Sequence, residues 1–155
     1  MRIKNLYTLL TLSLFVLFGI IGCSEDDDSS TTETRSIVQS FDVPLSYRNS
    51  IPAVEGRSET GEAYIRIIGS TMYYKIIVND LDESDSITAG HIHQGSATEN
   101  GDVIINLEIT NEDELNVTKT LMLSEDLLNS LMNDNLYINV HSVQQALGLL
   151  RGQVM

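Results

Sequence analysis

Residues 37–155 predict a mainly β domain, an antiparallel sandwich or barrel carrying one short helix, and three observations point there. Eight short runs rich in apolar, β-branched and aromatic residues follow one another. Turn-forming residues separate them, and a single segment near residue 125 switches from strand to helix periodicity. The first run spans Ile37 to Leu45, with Pro44 inside it and Pro52 in the loop that follows. Ala63 to Ile68 and Met72 to Val78 come next, joined by Gly69-Ser70 as a tight hairpin turn. Ile87 to His93, Val103 to Ile109 and Val117 to Leu123 continue the series. Ser124 is then a helix N-cap with Glu125 and Asp126 behind it, and Leu127, Leu128, Leu131 and Met132 recur at helical spacing until Asn133-Asp134-Asn135 ends the segment. This helix is expected to plug one end or edge of the sandwich. In Leu136 to His141 the apolar residues Leu136, Ile138 and Val140 share one face, leaving Tyr137, Asn139 and His141 on the other. Leu149 to Val154 is the last run, and the chain carries no internal repeat.

With 155 residues there is room for one ordinary domain once a leader and a linker are set aside. Net charge is -13, and removing Arg2 and Lys4 from the nine basic residues leaves seven against 22 acidic ones. Such a surface repels phosphate backbones and anionic headgroups, so no nucleic acid is expected as a partner. Cations and cationic partners are favoured. There is one cysteine, so no disulfide can form within the chain.

Residues 1–22 read as a cleavable secretory leader: Arg2 and Lys4 form a charged start, and an uncharged apolar stretch runs from Leu6 to Ile21. That stretch is shorter than the roughly 20 residues needed to span a bilayer. Ile20-Ile21-Gly22-Cys23 resembles the bacterial lipobox, although Ile21 stands where a small residue is preferred. The resemblance implies diacylglycerol on the Cys23 thiol, cleavage before Cys23 and acylation of the new amino group, an anchor that holds a protein on a membrane almost permanently. Residues 23–36 then form an acidic tether, since Ser24 to Ser36 holds no apolar residue to bury. Its start, Ser24-Glu25-Asp26-Asp27-Asp28, also looks like the acidic signal that sends some lipoproteins of Gram-negative bacteria to the outer surface. The expected address is the cell envelope, at the outer membrane and on the cell surface. The sequence names no protein partner.

The chemistry-bearing residues are the three histidines. His91 and His93 flank Ile92 in a strand-like run, so their imidazoles leave the same face with Cα atoms about 6.5–7 Å apart. His141 likewise points away from the apolar side of its own run. Should the two strands lie together, three imidazoles converge as ligands for zinc or copper with an open fourth position. The bland alternative is three structural histidines bonded to loop backbone and to neighbours such as Asn139 or Gln153. Asp80, Asp82, Glu83 and Asp85 form an acidic cluster that could hold calcium but lacks the glycine and spacing of an EF-hand; the plainer reading is a solvated loop. Ser142 cannot pair with His141, because adjacent strand residues face opposite ways.

Four separated motifs occur in order: Ala89-Gly90-His91-Ile92-His93, Asn100 to Leu107, Leu136 to His141, and Arg151-Gly152-Gln153-Val154. Together with Val54, Gly61-Glu62-Ala63 and Met72 to Ile76 upstream, they resemble the CHRD (chordin-type) domain from about Phe41 onward. The resemblance implies an immunoglobulin-like or superoxide-dismutase-like β-sandwich in an extracytoplasmic setting, with Asn139, Arg151 and Gln153 as further motif residues and no settled activity. Two departures stand out: Gln94-Gly95 replaces the usual Gly-Pro, and leucine occupies Gly148-Leu149-Leu150-Arg151 where the family commonly has glutamate.

Three functions are therefore in play. The first is a tethered binding or scaffold module, holding one metal ion through His91, His93 and His141 and catalysing nothing. The second is a mononuclear copper oxidoreductase resembling superoxide dismutase. A full copper-zinc site is ruled against by ligand arithmetic, since that enzyme needs separate histidine sets and a disulfide, and this chain has three histidines and one cysteine. The third is a purely structural envelope protein whose motifs serve the fold.

Overall fold

A computed structural model describes residues 37–155; the expected leader, the lipidation site Cys23 and the tether lie outside the described residues. Eight strands form at the eight apolar runs: β1 Ile37–Ser46, β2 Thr60–Ile68, β3 Thr71–Asn79, β4 Ile87–Gln94, β5 Val103–Asn106, β6 Lys119–Met122, β7 Leu136–Ser142 and β8 Leu150–Val154. The helix α1, Glu125–Asn133, lies between β6 and β7. Every strand pairing is antiparallel, in one sheet of order β5-β4-β7-β8-β1-β2-β3-β6. The β1–β8 junction is held by a single register pair, Ser46 with Arg151, whereas β1 and β2 share nine. At that thin seam the sheet curls over, and its two halves face each other as the layers of a sandwich. No helix among the described residues is long and apolar enough to cross a membrane.

The period of two along each strand supplies the core. Phe41, Val43 and Leu45 of β1 are buried beside Ala63, Ile65 and Ile67 of β2, which meet Met72, Tyr74 and Ile76 of β3 in register. From the other half, Ile92, Ile105, Leu136, Ile138, Val140 and Leu150 join the same cluster. Each fully buried valine, leucine, isoleucine, phenylalanine or methionine among them contributes about 1.5–3 kcal/mol. The hairpin at Gly69-Ser70 forms as expected, with Gly69 at φ 59° where a Cβ is disfavoured.

Some edges differ from the expectation. The fifth run, expected to Ile109, leaves the sheet after Asn106, because Glu108 takes φ 51° and the chain turns across to the other half. Leu107 and Ile109 stay buried on the way, and the Tyr74 hydroxyl donates to the Leu107 carbonyl at 2.7 Å. Val117 is half exposed and precedes β6, which begins at Lys119. In α1 the Ser124 hydroxyl accepts from the Leu127 amide at 3.3 Å, and Leu131 is buried with Leu127 and Leu128 packed against the core. Met132, expected on the apolar face, is exposed.

Strand β7 is buried on both sides. Its inward residues meet the core, while the loops 95–102 and 143–149 fold back over its outward ones, so Tyr137 and Asn139 are 1% and 6% exposed. The Gly95 amide donates to the Asn135 carbonyl, and the Asn139 side chain donates to Leu147, which pins both loops. The acidic loop is not simply solvated. Asp85 turns inward to bond Arg57 at 2.7 Å and the Ser142 hydroxyl at 2.7 Å, and Asp82 caps Ser84, so no calcium cradle forms there.

Candidate metal centre

Because Ile92 and Ile138 take the core, parity sends His91 and His93 of β4, Tyr137, Asn139 and His141 of β7, and Arg151 and Gln153 of β8 to one outer face. The register aligns them in rows: Ala89 beside His141, His91 beside Asn139 and Arg151, His93 beside Tyr137 and Gln153. The separate sequence motifs thus become one patch. Its three imidazoles converge, with ring centroids 5.6 Å apart for His91 and His93, 5.0 Å for His91 and His141, and 6.1 Å for His93 and His141. One nitrogen from each lies within 4.8 Å of the other two, and the closest pair, His91 Nδ1 and His141 Nε2, is 3.2 Å apart.

The ring tautomers follow from the surrounding backbone. His93 Nδ1 is 3.0 Å from the Gly101 carbonyl and His141 Nδ1 is 3.0 Å from the Ala146 carbonyl. A carbonyl can only accept, so in each ring Nδ1 carries the proton and Nε2 keeps its lone pair. That is the arrangement by which outer-shell carbonyls orient imidazole ligands. His93 Nε2 is buried with no hydrogen-bond partner among the described residues. An orphaned buried acceptor is uncommon, and on a ring grouped with two other imidazoles it fits a metal ligand. Burial holds the His91 imidazole below its ordinary pKa, with His141 and His93 adding repulsion. Burial does the same to His141, partly opposed by the bond to Ala146. Both rings are therefore neutral near pH 7, the state in which imidazole ligates. The set His91, His93 and His141 could hold one ion, and three imidazole nitrogen donors suit zinc or copper.

The outcome for the structural alternative is mixed. Loop backbone does bond two of the rings, but Asn139 and Gln153 do not: Asn139 Nδ2 donates to the Leu147 carbonyl and Gln153 Nε2 to the Gly95 carbonyl. Arg151 is 2% exposed and donates to Asn100 Oδ1 and to the carbonyls of Ser96 and Glu99. Tyr137, which sequence reasoning placed on this face without a role, lies between the two sets. Its ring stacks on His93 at 4.9 Å and 9°, and the Arg151 guanidinium carbon sits 3.4 Å from its centroid. The sequence anticipates loop backbone beside the rings but cannot single out Gly101 and Ala146, since a backbone group leaves no residue-type signal.

Residues 41–154 match the family model described as the CHRD domain. No curated protein and no solved structure matches the chain.

Proposed function

The chain belongs to the CHRD domain family, and from that premise we propose that it is a lipid-anchored binding or scaffold module of the cell envelope that holds one zinc or copper ion through His91, His93 and His141. One observation carries the metal: three imidazole nitrogens lie within 4.8 Å, and the buried His93 Nε2 has no protein partner among the described residues. The resident ion would supply a Lewis-acidic centre with an open coordination position. The residues themselves bring three ring nitrogens together, with Gly101 and Ala146 fixing two ring orientations. A net charge of -13 concentrates cations near the surface. The anchor rests on Cys23 and the acidic tether behind it, which would display the domain from the outer membrane at the cell surface.

Metal analysis of the full chain tests the site. About one zinc or copper per chain is expected, and a His91→Ala/His93→Ala variant with an unchanged circular-dichroism spectrum should retain less than roughly a tenth of it. Both chains folded and free of metal would remove the metal from the reading and leave an anchored β domain. Redox cycling of bound copper would instead move the chain to the oxidoreductase class.

A further inference from the structure

A second site lies on the far side of Tyr137 from the imidazoles, along β8. A cavity of about 300 Å³ opens there, lined among others by Arg48, Asn49, Ser50, Arg151 and Gln153. That is the small end of the roughly 300–1,000 Å³ typical of ligand clefts. Arg151 is a buried cation whose partners are all neutral: Asn100 Oδ1 at 2.7 Å, the Ser96 carbonyl at 2.6 Å, the Glu99 carbonyl at 2.7 Å and the Tyr137 ring. Among the described residues it makes no ion pair. A buried charge without a counter-ion is unfavourable, and an incoming anion would offset that. Those bonds use three of its five N–H donors. Arg48, exposed on the same cavity, also has no ion pair among the described residues, and no carboxylate lines the cavity. In a chain of net charge -13 this is a local reversal of sign.

Other lining groups accept. Gln153 Oε1 is buried with no partner, and its orientation is fixed because Nε2 donates to the Gly95 carbonyl at 2.9 Å; a flipped amide would set oxygen against oxygen. Asn49 Nδ2 donates to the Arg151 carbonyl and the Ser50 hydroxyl to the Leu149 carbonyl, which leaves oxygen lone pairs on both side chains. Two guanidinium groups and three acceptors ask for a ligand with one anionic group and several O–H donors. The planar fork of Arg48 matches a carboxylate, while Arg151, with both Nη2 protons already donated, adds its charge and single N–H donors. We propose that this cavity binds a compact hydroxylated carboxylate of the sugar-acid type, its carboxylate between Arg48 and Arg151 and a hydroxyl on Gln153 Oε1.

Titration calorimetry of the full chain with D-glucuronate tests this. The chain is first stripped of metal so that chelation by the histidine site contributes nothing. Saturable one-to-one binding is expected, at least about tenfold weaker in Arg48→Ala and for glucose, which lacks the carboxylate, and for inorganic phosphate, which lacks the row of hydroxyls. Arg48 is exposed, so its replacement leaves the fold intact. In the unaltered chain, amide resonances of Ala97 and Gln153 should shift along the same titration. No binding up to roughly 10 mM, equal binding of phosphate, or an unchanged affinity in Arg48→Ala overturns the proposal.

Discussion

Asp85 has no solvent-exposed side-chain surface, yet it is ionised, because four donors converge on it: Arg57, the Ser142 hydroxyl and the amides of Ser86 and Gln144. Burial alone would push its pKa up; those bonds outweigh it and hold the carboxyl below its ordinary value of 3.8. Glu59, 2.7 Å from the same Arg57, is likewise raised by burial and lowered further by Arg57 and backbone amides, to below its ordinary 4.5. Folding therefore favours the ionised forms, so this contribution is complete above the unfolded values and shrinks as pH falls through them toward the folded ones. The urea midpoint should fall gently from pH 7 to about 5, where the unfolded chain takes up protons that the buried His91 and His141 resist, and more steeply below that as the carboxylate contribution is lost. Asp85→Ala should cost about 2–4 kcal/mol at pH 7, because Arg57 keeps Glu59 but loses a buried partner, and should flatten the acid-side slope. An unchanged slope in the variant would place the acid sensitivity elsewhere. The sequence showed Asp85 only as one of four acidic residues; nothing in that run separates the one that turns inward.

Two elements separate stability from site geometry. Ser124 caps α1, whereas the imidazoles come from β4 and β7, so Ser124→Ala should cost about 1 kcal/mol in chemical denaturation and leave metal affinity unchanged. The loop 143–149 behaves differently, since it supplies the Ala146 carbonyl that orients His141 and packs on Asn139. Gly148 sits at φ 133°, and a Cβ built there would lie 2.3 Å from Asn139 Oδ1. Gly148→Ala must therefore shift the loop, and metal affinity should fall roughly 10- to 100-fold, as for other lost outer-shell contacts. Equal metal affinity in the two variants would mean that the loop does not orient the ligand. Element type was legible wherever a run kept its period to the end. It failed at Leu107 to Ile109 and at Val117, where apolar residues are buried by a crossover instead of a strand pairing or stay near the surface.

At the scale of the molecule, an ion bound by His91, His93 and His141 would tie β4 to β7 and hold the covering loops in place. Zinc at about 100 times its dissociation constant should add roughly 2.7 kcal/mol and raise the melting temperature by several degrees, an effect that EDTA reverses. A Cys23→Ser substitution should move the chain from the membrane fraction to the soluble one; retention on the membrane would refute the lipid anchor. The linear sequence by itself determined the antiparallel β class, the eight runs, the helix with its cap, and the face on which each histidine leaves its strand. It could do so because hydrophobic period and capping are local properties, written within a few residues. Tertiary structure alone decided that β4 pairs with β7, that His141 falls diagonal to His91, and that Tyr137 is held between His93 and Arg151. Those outcomes depend on partners about 50 residues apart and on backbone carbonyls of returning loops, and no residue pattern encodes such meetings until the core has chosen its register.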